Sequence, residues 1–187
     1  MTDASDRRGS WSAFEAEVLP HIDALYRLAV WFERNREEAE DLVQETLTSA
    51  LTSFHRFRSG TNCRAWLVSI LRHVRSNRRR GKQRSPLVSD PDERLAGAVA
   101  FVPPVPERLT DEDMLGALER IPPSYQEVVL LSDVEGLTYK EISSALSIPL
   151  GTVMSRLHRA RALLRQELAA FGDHSQRSLS LGGPSTK

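Results

Sequence analysis

The stretch LTYKEISSALSIPLGTVMSRLHRARALLR, residues 137–165, decides the reading of the fold. Thr138 with Glu141 three residues later forms a capping box, in which each side chain satisfies an otherwise unbonded backbone N–H. The spacing predicts a helix over 139–146. A short turn through residues 147–150 and a Gly151-Thr152 opening then lead into a long helix over 153–170. In that helix Val153, Leu157, Ala160, Leu164 and Leu168 recur at intervals of three and four, which places them on one buried stripe. The opposite side offers Ser155, Arg156 and Arg159, flanked by His158, Arg161 and Arg165. A recognition helix needs this division: an apolar back to hold it, and hydrogen-bond donors near its N-terminus to meet base edges and phosphates. The plain alternative is a solvated basic face on a bundle helix. The capped first helix and the Gly-Thr opening favour a DNA-binding helix-turn-helix.

Working outward, Thr110 caps a helix over 111–120, and Pro122-Pro123 start another that reaches about Asp133 and ends by Gly136. Upstream, residues 83–107 hold five of the ten prolines, a density that breaks helices and predicts a linker. Extended at ~3.3 Å per residue, its 25 residues reach at most about 80 Å. Before the linker the pattern is helical again. Ser12 and Glu15 form a capping-box pair for a short helix ending near Leu19, and Pro20 suits the first turn of the next. Asn35 and Glu38 open a third helix to about Phe54, with Ala39, Val43, Thr46, Ala50 and Phe54 on one face. Asn62 caps a fourth, from Cys63 to about Arg80, stopped by Gly81. The fold is therefore expected to be all-α, with two small helical domains (10–82 and 108–171), a Pro-rich linker (83–107) and a disordered tail (172–187).

Composition first argues against a nucleic-acid partner. The chain of 187 residues has 25 Lys+Arg and 25 Asp+Glu, for a net charge of zero. The distribution reverses that inference. Residues 1–58 carry 7 basic and 11 acidic side chains, 59–85 carry 8 and none, 86–138 carry 3 and 11, and 139–187 carry 7 and 3. Zero is a cancellation between blocks, not an absence of field. The single cysteine, Cys63, excludes an intramolecular disulfide and a cysteine-based zinc site within one chain. It reads as a small core residue on an apolar helix rather than a redox sensor. The five histidines do not fall at a metal-ligand spacing, and no apolar run approaches the ~18–20 residues that span a bilayer. Phosphate-cradling glycine loops, nucleophile elbows and dinucleotide fingerprints are missing. Met1 to Ser10 is polar and lacks a signal-peptide core, which leads to the expectation of a cytoplasmic protein with no membrane insertion, cofactor, metal or small-molecule substrate.

Two further surfaces stand out. Along 63–80, Trp66, Leu67, Ile70 and Val74 can pack inward. Arg64, Arg72, Arg75 and Arg79 follow one helical face, and Arg78, Arg80, Lys82 and Arg84 extend the charge. Phe54, Phe57 and Trp66 lie close in sequence, and arginines interleaved with aromatics suit single-stranded nucleic acid. Trp66 by itself reads as core. The arginine cluster reads as phosphate-binding, because no acidic residue neutralises it locally. On the helix over 35–54, Asp41, Gln44, Glu45 and Thr48 fall at i, i+3, i+4 and i+7 and form one exposed strip. By spacing alone that strip reads as a solvated face, and Glu37, Glu38 and Glu40 are explained by the helix dipole.

Taken together, EEAEDLVQETLTSAL (37–51), FRSGTNCRAWLVSILRHVRSNRRR (57–80) and the opening stretch resemble the extracytoplasmic-function (ECF) sigma factors of bacterial RNA polymerase. The resemblance covers 12–82 and 108–170. It implies that Asp41, Gln44, Glu45 and Thr48 dock on the clamp helices of the polymerase's largest subunit. It implies that the minus-ten promoter element is read and opened by Phe57, Arg58, Asn62, Arg64, Trp66, Arg72, His73, Arg75, Arg78 and Arg79, with a base flipped into the turn 57–62. The minus-thirty-five element would be met by Lys140, Thr152, Ser155, Arg156, His158, Arg159 and Arg161. Core RNA polymerase, promoter DNA and an anti-sigma factor are the implied partners. His73 stands where many relatives have Asn, and Met154 where many have Arg or Lys.

The alternative is a stand-alone helix-turn-helix regulator with an N-terminal sensing or dimerisation domain. An enzyme, such as a nuclease using Asp41 and Glu45, has no metal constellation to support it. The 37–51 strip discriminates, since a stand-alone regulator has no use for a polymerase surface.

Overall fold

The computed structural model describes residues 3–82 and 109–180, with side chains over 11–80 and 109–170. The expected linker 83–107 lies outside the described residues. Every element among them is helical: α1 (Asp3–Val18), α2 (Ile22–Glu33), α3 (Arg36–Ser53), α4 (Cys63–Lys82), α5 (Asp111–Arg120), α6 (Pro123–Val129), α7 (Tyr139–Leu146) and α8 (Leu150–Ser180).

The capping residues read from the sequence set most of the starts. Asn35 is extended and its side chain accepts from the Glu38 N–H, opening α3. The Asn62 side chain accepts from the Ala65 N–H at the head of α4. Thr110 with Asp113 and Thr138 with Glu141 make complete capping boxes for α5 and α7.

Four boundaries differ from expectation. First, α1 begins at Asp3, so Ser12 and Glu15 lie inside it rather than at its start. Pro20 sits in a 3-10 turn, Leu19–His21, that leads into α2. Second, α6 is short and passes into a π-helical segment, Leu130–Val134, where the Glu135 N–H bonds the Leu130 carbonyl five residues back. Gly136 follows with φ +64, a left-handed conformation that glycine adopts without strain. Third, α8 opens at Leu150, because the Pro149 carbonyl accepts from the N–H groups of both Thr152 and Val153. Fourth, α8 continues to Ser180, so the expected disordered tail is helical over 172–180; a lone Gly172 costs a helix only about 1 kcal/mol.

Contacts divide the chain into two units, 1–87 with 137–148, and 88–136 with 149–187. In the first, α2, α3 and α4 enclose a core built on Leu25, Ala29, Leu42, Val43, Leu67 and Leu71, sealed by Phe14 and Val18 from α1. The α3 stripe is as read: Ala39, Val43, Thr46 and Ala50 are buried, with Phe54 packed at its end. Burying leucines such as Leu42, Leu67 and Leu71 stabilises by roughly 1.5–3 kcal/mol each. In this unit α7 also packs on α4, where Arg72 donates to the Leu146 carbonyl. By contacts, Leu137–Ile148 groups with the N-terminal helices. In the second unit α8 packs against α5 and α6 through Val153, Leu157, Ala160 and Leu168, with Leu164 half-buried.

Candidate functional site

Helix α3 carries the acidic strip. Its buried stripe turns Asp41, Gln44, Glu45 and Thr48 outward, and all four are exposed. They line one shallow pocket together with Ser49 and, from α4, Arg78. Thr48 bonds back to the Gln44 carbonyl at 2.9 Å, which fixes its hydroxyl on the helix. Glu45 faces Arg78 through two contacts, Nε to Oε2 at 2.9 Å and Nη2 to Oε1 at 2.8 Å. That hydrogen bond holds the Glu45 carboxyl below the usual carboxylate range.

The turn between α3 and α4 is built on aromatic rings. Phe57 and Trp66 stand 4.9 Å apart between ring centres, Phe54 lies 5.7 Å from Phe57, and Phe14 meets Phe54 edge-on at 5.3 Å. Phe57 and Trp66 are both half-buried. Each therefore packs against the core and remains partly open to solvent. Arg58, Ser59, Gly60, Thr61 and Asn62 are exposed beside them. The turn is closed by the Thr61 N–H and hydroxyl, both donating to the Arg58 carbonyl, and by Gly60 at φ +83.

Local sequence gave no warning of what the α4 arginines do. Arg75 donates to Glu33 at 2.8 Å and to the Phe32 carbonyl at 3.1 Å, and its guanidinium sits 4.6 Å from the Phe32 ring centre. The Arg75–Glu33 side chains are only 19% and 20% exposed, so this pair is a partly desolvated tie from α4 to α2. Arg78 makes the equivalent tie to α3. Arg72 is engaged with the Leu146 carbonyl, and Arg64 is half-buried. His73 and Arg79 are exposed. Two cations of the acid-free block, Arg78 and Arg75, are thus paired with carboxylates 33 and 42 residues away. Glu33, Glu38 and Phe32 are the partners that reading by sequence neighbourhood missed; the one available signal was the acidic excess of the preceding block.

At the second candidate interface, α7 ends on Ser147 in the left-handed conformation. The Ile148 N–H bonds the Ser143 carbonyl and the Ser143 hydroxyl bonds the Ile148 carbonyl, so the C-terminal end of α7 is tightly closed. Lys140, Ser155 and His158 are exposed, and Thr152 and Arg159 are half-buried. Arg156 was expected on the outer face and is instead 7% exposed. It stands three residues from Val153 and four from Ala160, beside the buried stripe. Arg161 is held by Asp133 in a two-pronged pair at 2.6 and 3.2 Å. That hydrogen bond, ahead of any opposing burial, keeps the Asp133 carboxyl below its ordinary value. The exposed start of α8 is consequently more apolar than the sequence suggested: Leu150 and Met154 lie open next to Ser155.

Among the described residues no helix is long and apolar enough to cross a membrane. Burial raises the Cys63 thiol to about 11, which disfavours the reactive thiolate.

Comparison with known proteins matches both halves. The family model of sigma-70 region 2 aligns with residues 18–85, and that of sigma-70 region 4 with residues 111–164. The chain is 34% identical over 183 residues to the ECF RNA polymerase sigma factor SigE of Mycolicibacterium smegmatis, across 94% of this chain and 69% of the relative. It is 32% identical over 156 residues to the ECF RNA polymerase sigma factor EcfG of Rhodopseudomonas palustris, across 83% and 85%. Among solved structures, the sigma factor RpoE of Bartonella quintana, in complex with the anti-sigma factor NepR, matches with a TM-score of 0.65 and 31% identity, covering 84% of this chain and 97% of that one. With region 2 and region 4 in order and relatives matched along most of their length, the chain belongs to the ECF sigma factors of the sigma-70 family.

Proposed function

We propose a division of labour within a sigma factor that directs RNA polymerase to promoters. The strip Asp41, Gln44, Glu45 and Thr48 docks on core polymerase. The turn 57–62 with Phe57, Trp66 and the exposed cations of α4 engages the minus-ten element, and the start of α8 engages the minus-thirty-five element. The two DNA-reading parts lie in different units of the chain, α4 in the first and α8 in the second. The observation that carries this reading is the acidic strip lining a single pocket on α3. Such a surface suits a basic protein partner and repels DNA, whereas the ring cluster beside the exposed Arg58 and Arg79 suits stacked bases and phosphates.

Opening a promoter requires unpairing that costs a few kcal/mol for each extruded base. Stacking on Phe57 or Trp66, with phosphate contacts from Arg58 and Arg79, would offset it. The chain makes and breaks no bond in this scheme, works in the cytoplasm, and is held inactive by an anti-sigma factor, as its Bartonella relative is found bound to one. The test is transcription by purified core polymerase from a fragment library of the source genome, with and without the chain. Discrete new start sites that depend on the chain support the reading. Failure to bind core, or binding without initiation from any fragment, refutes it.

A further inference from the structure

Arg78 looked, by sequence, like one more phosphate contact in a basic block. Its geometry says otherwise. Nε and Nη2 are committed to the two oxygens of Glu45, at 2.9 and 2.8 Å. Nη1 donates to the Glu38 carbonyl at 3.3 Å and lies 4.0 Å from the Glu38 carboxylate. The Arg78 side chain is only 20% exposed, while Glu45 is 56% exposed. The arginine is therefore packed between helices and the glutamate faces outward.

We infer that Arg78 is a positioning residue of the polymerase-docking surface rather than a DNA contact. The inference rests on the docking role proposed above for the α3 strip. Three carboxylates, Glu38, Asp41 and Glu45, crowd one face of α3, and their mutual repulsion would spread them. A guanidinium among them relieves that repulsion and leaves the face acidic, three charges against one. A planar fork that holds both Glu45 oxygens also fixes its rotamer, so a cationic partner meets an acceptor already in place and loses less conformational entropy on docking. Each Glu45 oxygen keeps a second lone pair for that partner. The raised Arg78 and lowered Glu45 proton affinities, each caused first by their shared hydrogen bond, agree with this arrangement. Lysine cannot reproduce it, because its ammonium lacks the fork.

The experiment uses the full chain and two readouts: affinity for purified core polymerase, and the salt dependence of binding to a fluorescent 20-nucleotide oligothymidylate without polymerase. Arg78→Ala should weaken core binding about threefold, the range of a partly exposed ion pair. Arg78→Lys should recover little of that loss. Glu45→Ala combined with Arg78→Ala should be no weaker than the worse single variant. The oligothymidylate salt slope should not change. Unchanged core affinity for Arg78→Ala, or a slope smaller by about 0.7, the signature of one lost phosphate contact, overturns the inference. Gln44→Ala separates the two layers. If Gln44→Ala and Glu45→Ala weaken core binding and Arg78→Ala does not, Arg78 alone loses its role. If none of the three matters, the docking role of α3 falls with it. Circular dichroism melts show that each variant is folded.

Discussion

Helices α4 and α8 both look like arginine-rich DNA helices in the sequence, yet they commit their arginines differently. In α4 the ties run into the protein's interior: Arg75 is fastened to Glu33 and the Phe32 ring, and Arg78 to Glu45 and Glu38, all at low exposure for the arginine. In α8 the tie of Arg161 to Asp133 lies near the surface, at 40% and 37% exposure. The first kind of tie holds a helical bundle together; the second trims the charge that an outward face presents. A basic block is thus not a measure of the field it offers to DNA. The outward cationic and ring groups near α4 include His73, Arg79 and Arg80 on the helix and Arg58 with the half-buried Phe57 in the turn before it, and α8 offers a mixed apolar and polar start at Leu150, Met154, Ser155 and His158.

The comparison predicts unequal costs. Arg75→Ala should be the more damaging, by about 2–3 kcal/mol in urea unfolding of the full chain, since it strands Glu33 in a partly desolvated site. A loss under 1 kcal/mol would mean the α4 ties are no more structural than those of α8. Thr138→Ala, which removes the capping box of α7, should cost about 1 kcal/mol by the same measurement. Arg161→Ala should cost less than about 1 kcal/mol, because water screens an exposed pair. The smallest effect concerns acid. The Asp133 carboxyl is held below its ordinary value of 3.8, so its stabilising contribution is present above that value and fades as pH falls through the lower, folded-state one. Asp133→Asn should flatten the stability profile in that acid window and nowhere else. A change near neutral pH would point to a different role for the pair.

How legible the sequence was depended on the distance between partners. Caps at Asn35, Asn62, Thr110 and Thr138 act over three residues, and each was readable from residue type and spacing. The buried stripes of α3 and α8 followed from helical periodicity. The π segment after α6 was not legible, because one extra residue in a turn leaves no periodic mark. The start of α8 was misplaced because Gly151 reads as a breaker, whereas here the Pro149 carbonyl already carries the first helical bonds. The Arg75, Arg78 and Arg161 pairings, 42, 33 and 28 residues apart, required the packed fold. So caps and buried helix faces were legible in outline, and the destinations of individual arginines were not.

The central claim is that polymerase docking and promoter reading reside in different parts of the chain. It is tested most directly by measuring core-polymerase affinity and promoter initiation side by side for Glu45→Ala combined with Gln44→Ala, and for Ser155→Ala combined with His158→Ala. The account predicts that the α3 pair loses core binding, and initiation with it, while the α8 pair binds core like the unaltered chain and loses initiation. Equal core affinity for the α3 pair and the unaltered chain would contradict it.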